Sequence, residues 1–514
     1  MMGVISFDND LSFLSTSLFF CLLPLLVFFL FSNIFSSKPS NKIPRSYPLV
    51  GSYFSLLKNR DRRFQWLSDA INASPNLTFT LHRPGISKVY TGNPLNVEHI
   101  LKTRFSVYSK GDFARTNLAD FLGDGIFNVD GEKWKFQREV AIHEFNTRSL
   151  RNFVSTVVDA ELSGRLIPIL SSASREKTVL DFQDILQRFA FDNICKISFG
   201  YDPGYLSPSL PAATLAVAFE EALKISSQRY DEISPLVWKL KRRFNIGSER
   251  KLRIAVSEVR EFARKIVREK KKELEKKSTL DSVDLLSRFL SSGHSEENFV
   301  TDIVISFILA GRDTTSAALT WFFWSISRQP EVEDKILEEV RSQSEAAVDG
   351  ELKHMVYTHA ALCEAMRLYP PVPVDSKTAG EDDILPDGTA VKKGWRVSYH
   401  AYAMGRAEEL WGKDWAEFRP ERWLNRDGDG NLSFVGKDPY VYPVFHAGPR
   451  ICLGKEMAFL QMKRVVAGVL GRFRVIPVAE DGKEPVYVAY LSSKMKGGFP
   501  VMVKERYTTG NELH

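Results

Sequence analysis

A chain of 514 residues, 44% hydrophobic and 26% charged, has ordinary globular composition and enough apolar side chain for a large core. Its 69 Lys and Arg against 63 Asp and Glu leave a formal charge of only +6, which suits a membrane surface or an acidic partner and excludes a nucleic-acid signature. Four cysteines (Cys21, Cys195, Cys363, Cys452) stand far apart with no CxxC or zinc spacing, which excludes a disulfide framework and points to a reducing compartment.

In chain order, the first signal is apolar. No charged residue occurs from Leu11 to Ser37, and LFFCLLPLLVFFLF (18–31) is long enough for a bilayer-crossing helix that tolerates Pro24. A cleaved signal peptide would carry a basic leading flank and a shorter apolar run. Here Asp8 and Asp10 lead, while Lys38, Lys42 and Arg45 follow. The expectation is a membrane anchor over 1–37, its helix spanning about 11–35, with the remaining chain on the cytoplasmic side. Residues 38–50 are proline-rich and read as a stiff hinge. Residues 51–514 then read as one domain, mainly α with a minor β region.

Within that domain, 72–94 carries Thr/Val/Phe runs broken by Gly and Pro, the pattern of hairpin strands. From about 131 to 370 the pattern is mostly helical, and VREKKKELEKK (267–277) reads as a solvated helix face. Strand-like segments return at 371–400 and 473–504, without repeats or an interdomain linker.

Four motifs carry chemistry. ISFILAGRDTTSAALTWFFW (305–324) is apolar enough for a buried helix, yet its centre holds Gly311, Asp313 and Thr314. A glycine there costs about 1 kcal/mol against alanine, and an unpartnered buried carboxylate costs several more. At about 100° per residue, Phe307, Ala310, Gly311, Thr314 and Ala318 share one face. Trp134 and Arg138 in GEKWKFQRE lie four apart, a donor pair for an anion or a surface arginine over a half-buried indole. Glu364 and Arg367 in CEAMRLYPP can pair along a helix, and FRPERW supplies Arg422 as a third charge. In FHAGPRICLG (445–454), Cys452 sits in a glycine-shaped turn ahead of an amphipathic helix. The helix end favours a thiolate, although a buried inert cysteine is the simpler reading of that loop alone.

In this order and at these separations, AGRDTT, ExxR, PERW and FxxGxRxCxG resemble the cytochrome P450 family of haem-thiolate monooxygenases over essentially the whole chain. Trp423 stands where the PERF-like motif more often has Phe. The resemblance implies haem b with Cys452 as the thiolate ligand of iron, whose electron donation favours O–O cleavage. It implies that Trp134, Arg138 and Arg450 hold the propionates, and that Phe445 shields the sulfur. Gly448 and Gly454 admit the flat group, and Ala310 and Gly311 leave room for dioxygen, breaking the helix there. Thr314 and Asp313 become a proton relay, while Glu364, Arg367 and Arg422 become a structural network.

The same resemblance implies O2 as co-substrate and NADPH electrons through a separate cytochrome P450 reductase on an endoplasmic reticulum bilayer. Lys133, Lys135, Lys455, Lys463 and Arg464 would steer that acidic flavoprotein. Two stretches, VYTHAALCEAMRLYPPVPVDSKTA and the one around Cys452, look like the plant branch that hydroxylates fatty acids at or near the ω end. Some relatives instead oxidise jasmonoyl-isoleucine. Candidate acyl-pocket residues are Phe113, Leu118, Phe121, Leu122, Phe127, Phe307, Val372, Pro373 and Val374, with Lys110, Arg115 or another cation for a carboxylate. The rival chemistry, a haem-thiolate lyase or isomerase acting on lipid hydroperoxides, would not need the Asp313–Thr314 pair. A non-catalytic haem or lipid binder would not need these polar residues at all.

Overall fold

The computed structural model describes residue 44 and residues 51–506, except 84–85, 146–147, 212–213, 231, 233, 277–283, 292–295, 347–354 and 479–483. The expected anchor and nearly all of the hinge lie outside the described residues. Among the described residues no helix is long and apolar enough to cross a membrane.

The helical stretch expected from 131 onward is built around a 30-residue helix that is apolar on almost every side and therefore buried. The helices that position the site are α1 (Gly111–Leu122), α2 (Gly131–Phe145), α3 (Phe182–Phe199), α4 (Thr214–Gln228), α5 (Gly247–Lys276), α6 (Glu297–Ile326), α7 (Val356–Leu368) and α8 (Lys455–Leu470). Two of these helices show caps formed by local chemistry. The Glu296 carboxylate accepts the Asn298 and Phe299 N–H groups at the start of α6. Asp181 caps α3, which ends at Gly200 in the left-handed region, φ +64°. α6 lies along α3, and Phe182 meets Phe323 edge-on at 5.0 Å in the largest apolar cluster.

The minor β region forms chiefly one sheet: β1 (Thr78–Arg83), β2 (Ile86–Thr91), β3 (Tyr108–Ser109), β4 (Asp375–Ala379) and β5 (Arg396–Tyr399), in the order β1-β2-β5-β4-β3. The expected hairpin is the antiparallel β1/β2 pair. β2 runs parallel to β5 with Lys88 opposite Arg396, and β5 antiparallel to β4 with Ser398 opposite Ser376. Near the C-terminus, β6 (Tyr487–Ala489) and β7 (Ser493–Met495) make a second hairpin.

Two expectations change. The lysine-rich end of α5 is not wholly solvated, because Lys270 is buried with its ammonium 3.1 Å from Asp284 and 2.8 Å from Glu273. Nor is α6 broken at Gly311. It continues through Ile326 while Ser306, Thr314, Ser316 and Thr320 bond back to carbonyls four residues earlier. Those bonds satisfy the hydroxyls inside a dry helix.

Candidate active site

A cavity of about 890 Å³ lies between the sheet and the helices. Leu309, Ala310 and Thr314 of α6 form one wall, Val372 and Val374 after α7 another, and Leu118, Leu122 and Phe127 a third. The β6–β7 hairpin contributes Tyr487 to Ser492, and the sheet contributes Leu81, Lys88, Tyr90, Ser376 and Arg396. Such a volume, whose lining mixes apolar side chains with charged and polar ones, falls in the usual range for a small-molecule site.

Three expected pocket residues are not on this wall. Phe121 is fully buried against Phe219, ring centroids 5.1 Å apart, and Phe307 packs on Phe289 at 6.0 Å. Phe113 lies edge-on to Tyr230 at 5.5 Å. Aromatic side chains near the cavity thus serve its packing, which sequence spacing cannot separate from lining. Pro373 also stays off the wall, its carbonyl accepting the Tyr402 N–H at 3.2 Å. Among the candidate carboxylate partners, Arg115 pairs with Asp124 at 2.9 Å away from the cavity. Lys110 borders it but reaches Asp375 at 3.0 Å.

The shared face expected on α6 divides. Ala310 and Thr314 meet the cavity, and the Thr314 hydroxyl donates to the Ala310 carbonyl at 2.5 Å. Gly311 does not. A Cβ there would come within 2.4 Å of the Ile194 side chain on α3, so this glycine is required by helix–helix contact. Ala318 belongs to the core. Asp313 is buried with Arg312 Nη1 at 3.0 Å, while Arg312 Nη2 reaches Glu220 at 3.3 Å and Lys494 pairs with that same carboxylate. The Ser492 hydroxyl donates to Asp313 Oδ2 at 3.3 Å and also borders the cavity. Asp313 therefore communicates with the cavity through Ser492, a hydroxyl that no sequence motif marked.

Cys452 precedes α8, and its side chain is exposed. Its N–H donates to the Phe445 carbonyl at 2.8 Å, and the Phe445 ring lies 5.3 Å from that of Phe459. The expectation of a thiolate favoured by the helix end is incomplete. Surrounding protein pushes the Cys452 thiol up, opposed by the Gly454 N–H, Arg138 and Lys455. Gly448, at φ +64°, is fixed by close approach, since a Cβ would stand 2.1 Å from the Leu101 carbonyl oxygen. At Gly454 a Cβ would meet nothing within 4 Å.

Arg450 and Arg138 lie over the Trp134 ring at 4.4 and 5.9 Å from its centroid. Arg450 donates to Asp130 at 2.6 Å, and Arg138 donates to the Ile451 carbonyl at 2.8 Å. Burial lowers both guanidinium pKa values. Close by, Asp375 is gripped by Lys110 and Lys377. Burial would raise its carboxyl, yet the two ammonium groups hold it well below the usual range. His446, at φ +57°, pairs through Nδ1 with the Tyr399 hydroxyl, and burial depresses it to about 4. An accessible thiol, open space at Gly454 and two guanidinium groups on an indole fit a flat, dianionic, sulfur-ligated cofactor.

The ExxR pair is a buried bidentate fork: Arg367 Nε and Nη2 donate to Glu364 at 2.8 and 2.7 Å. Arg422 reaches the same carboxylate at 3.3 Å, and the Arg419 N–H at 2.9 Å. Trp423 adds an indole N–H at 2.9 Å, a bond that a phenylalanine there could not make. Arg367 also donates to the Trp415 and Glu417 carbonyls, and Tyr442 to the Cys363 carbonyl. The network thereby ties α7 to the chain leading into the cysteine loop. Several expected steering cations are occupied instead: Lys133 pairs with Asp124, Lys135 with Glu132 and Arg464 with Asp159. Lys463 is partly buried, and its ammonium is lowered by that burial. Lys455 lies 5.9 Å from the Phe445 ring centroid.

The family described as Cytochrome P450 matches residues 42–497. Cytochrome P450 94A2 of Vicia sativa is 63% identical over 475 residues, 92% of this chain and 93% of that protein. Cytochrome P450 94A1 of the same plant is 61% identical over 466 residues, 90% and 91% of the two chains. Cytochrome P450 94B3 of Arabidopsis thaliana is 50% identical over 503 residues, covering 96% and 99%. The chain belongs to the cytochrome P450 family, and its relatives place it with the members numbered 94. It has the P450 fold and is a P450 monooxygenase, a class that carries haem on a cysteine thiolate and uses O2.

Proposed function

We propose that this protein hydroxylates a fatty acid at or near its ω end, anchored by residues 1–37 in the endoplasmic reticulum membrane with its catalytic domain toward the cytoplasm. The observation that carries the substrate reading is the cavity itself: about 890 Å³, lined by aliphatic side chains from three elements, with the Thr314 hydroxyl on its helical wall. An acyl chain gains by leaving water for such a wall at every methylene, roughly 0.8 kcal/mol each. Electrons would come from NADPH through a membrane-bound reductase.

Cys452 would hold the haem iron, with Arg138, Arg450 and Trp134 on the propionates and Phe445 beside the sulfur. Bound haem supplies dioxygen activation. The chain's own part is to exclude water and to deliver protons. Thr314 would turn its hydroxyl from the Ala310 carbonyl into the cavity, and Asp313 would pass protons inward through Ser492. Glu220 and Lys494, at the outer end of the Arg312 pair, would link this path to solvent.

The test is turnover by the purified, haem-loaded enzyme with reductase, offered a panel of fatty acids and jasmonoyl-isoleucine with and without NADPH. NADPH-dependent product hydroxylated near the chain end, located by mass spectrometry, is the expected result. Turnover of jasmonoyl-isoleucine alone would replace the substrate. Products formed only from hydroperoxides, without NADPH, would overturn the reaction.

A further inference from the structure

The sheet wall of the cavity brings two cations side by side, facing the apolar walls formed by Leu309, Val372 and Leu118. Side chains alternate along a strand, so Lys88 and Tyr90 of β2 share one face with Arg396 of β5, and all three border the cavity. Lys88 and Arg396 are direct neighbours in the parallel register. Arg396 is only 7% exposed. Its guanidinium lies 4.5 Å from the ring centroid of Phe113 and 5.1 Å from that of Tyr230. The Lys88 ammonium stands 4.5 Å from the Tyr90 ring. Rings against a guanidinium face orient its N–H edge, the edge that matches a carboxylate.

Other charges on the wall are placed differently. Arg60, Asp61 and Lys496 are exposed and mark the outer rim. Arg396 thus combines burial beside the cavity with a cationic neighbour, Lys88, on the adjacent strand.

We infer that Arg396, assisted by Lys88, seats the substrate's carboxylate on the sheet wall, so that the other end of the molecule is presented to Thr314. This rests on the reading of the substrate as a lipid-derived carboxylate and adds what fixes its direction. Two parallel N–H···O bonds in a cavity with apolar walls are stronger than the same bonds in water. Holding one end also limits which carbons can reach the reacting centre.

Dodecanoic acid and its methyl ester test the seat, with binding read by spectral titration of the haem-loaded enzyme and product position by mass spectrometry. Arg396→Gln should raise the Kd of the acid about 10- to 100-fold, the worth of a charged hydrogen bond, and leave that of the ester within about 2-fold. It should also spread hydroxylation inward from the chain end. Lys88→Gln should raise the Kd of the acid by roughly 3- to 10-fold, and its half-buried position keeps the test open if the Arg396 variant fails to fold. An unchanged acid Kd in both variants overturns the seat, as does equal loss of acid and ester. If the wild-type enzyme turns over neither compound, the fatty-acid reading falls, and jasmonoyl-isoleucine with its methyl ester becomes the pair judged by the same criteria. Turnover of none of the four removes the seat together with that reading.

Discussion

Thr314 lies on α6 at the cavity and Cys452 just ahead of α8, and the proposed role of each can be tested by one atom or one group. The Thr314 hydroxyl already has an acceptor in the Ala310 carbonyl, so the helix keeps it satisfied when it is not serving the cavity. Thr314→Ala should therefore fold, retain the thiolate-type carbon monoxide difference spectrum, and consume NADPH with product per NADPH down about 10-fold or more. The missing electrons should appear as peroxide, and Thr314→Ser, which restores the hydroxyl, should recover coupling. Unchanged coupling in the alanine variant would remove Thr314 from proton delivery. Cys452→Ala should abolish the thiolate-type spectrum altogether, and a variant that kept it would place the ligand elsewhere. Both residues stand out in the sequence because their chemistry is local: a cysteine ahead of a helix and a hydroxyl within an apolar one. Ser492 was not legible, since its meaning comes only from Asp313 across the fold.

On the scale of elements, α6 shows where periodicity stops informing. A helix apolar on one stripe declares which side faces the core, but one buried all round declares nothing about what each side meets. The small residues Ala310 and Gly311 look equivalent in sequence. In the fold one borders the cavity and the other takes the closest approach to α3. Gly311→Ala should therefore act through packing. The new Cβ meets Ile194, and overpacking of this kind costs about 1–3 kcal/mol. We expect a lower urea midpoint for the variant with little change in product per NADPH, and partial recovery when Ile194→Ala is added. Loss of coupling at normal stability would restore Gly311 to the oxygen side of the helix. The seat formed by Lys88 and Arg396 was hidden for a related reason. Two strands distant in sequence acquire a shared face only once the parallel register is known.

For the whole molecule, the helical class, the sheet segments and the four motifs were legible, whereas the partners of buried charges were not. That second group sets the response to acid. His359 is stacked 4.0 Å over Phe459, joining α7 to α8 near the cysteine loop, and His400 is fully buried and accepts the Ala403 N–H. Burial depresses both to about 3, with Lys463 and Lys455 adding to the effect at His359 and Lys88 at His400. The unfolded chain takes up these protons near the ordinary histidine value of about 6.5. Between that value and about 3 the unfolded state holds more protons, so each histidine withdraws stability as pH falls, at about 1.4 kcal/mol per pH unit. Above about 6.5 neither contributes a slope. Asp192 opposes them in part: burial pushes it up to about 6, so the folded state holds its proton first and gains stability as pH drops toward the ordinary aspartate value. His446, depressed to about 4, acts in the same direction as the two histidines. Three histidines thus withdraw stability against the one opposing aspartate, and the net outcome is acid lability, to which the α7–α8 junction contributes through His359. His359→Phe keeps the stack on Phe459 and removes one titration. Unfolding free energies from urea titrations followed by the thiolate-type spectrum, taken across about pH 6 to 4, should fall less steeply by about 1.4 kcal/mol per pH unit in this variant. An unchanged slope would mean that His359 is protonated in the folded enzyme, and that the junction beside Cys452 is open to water.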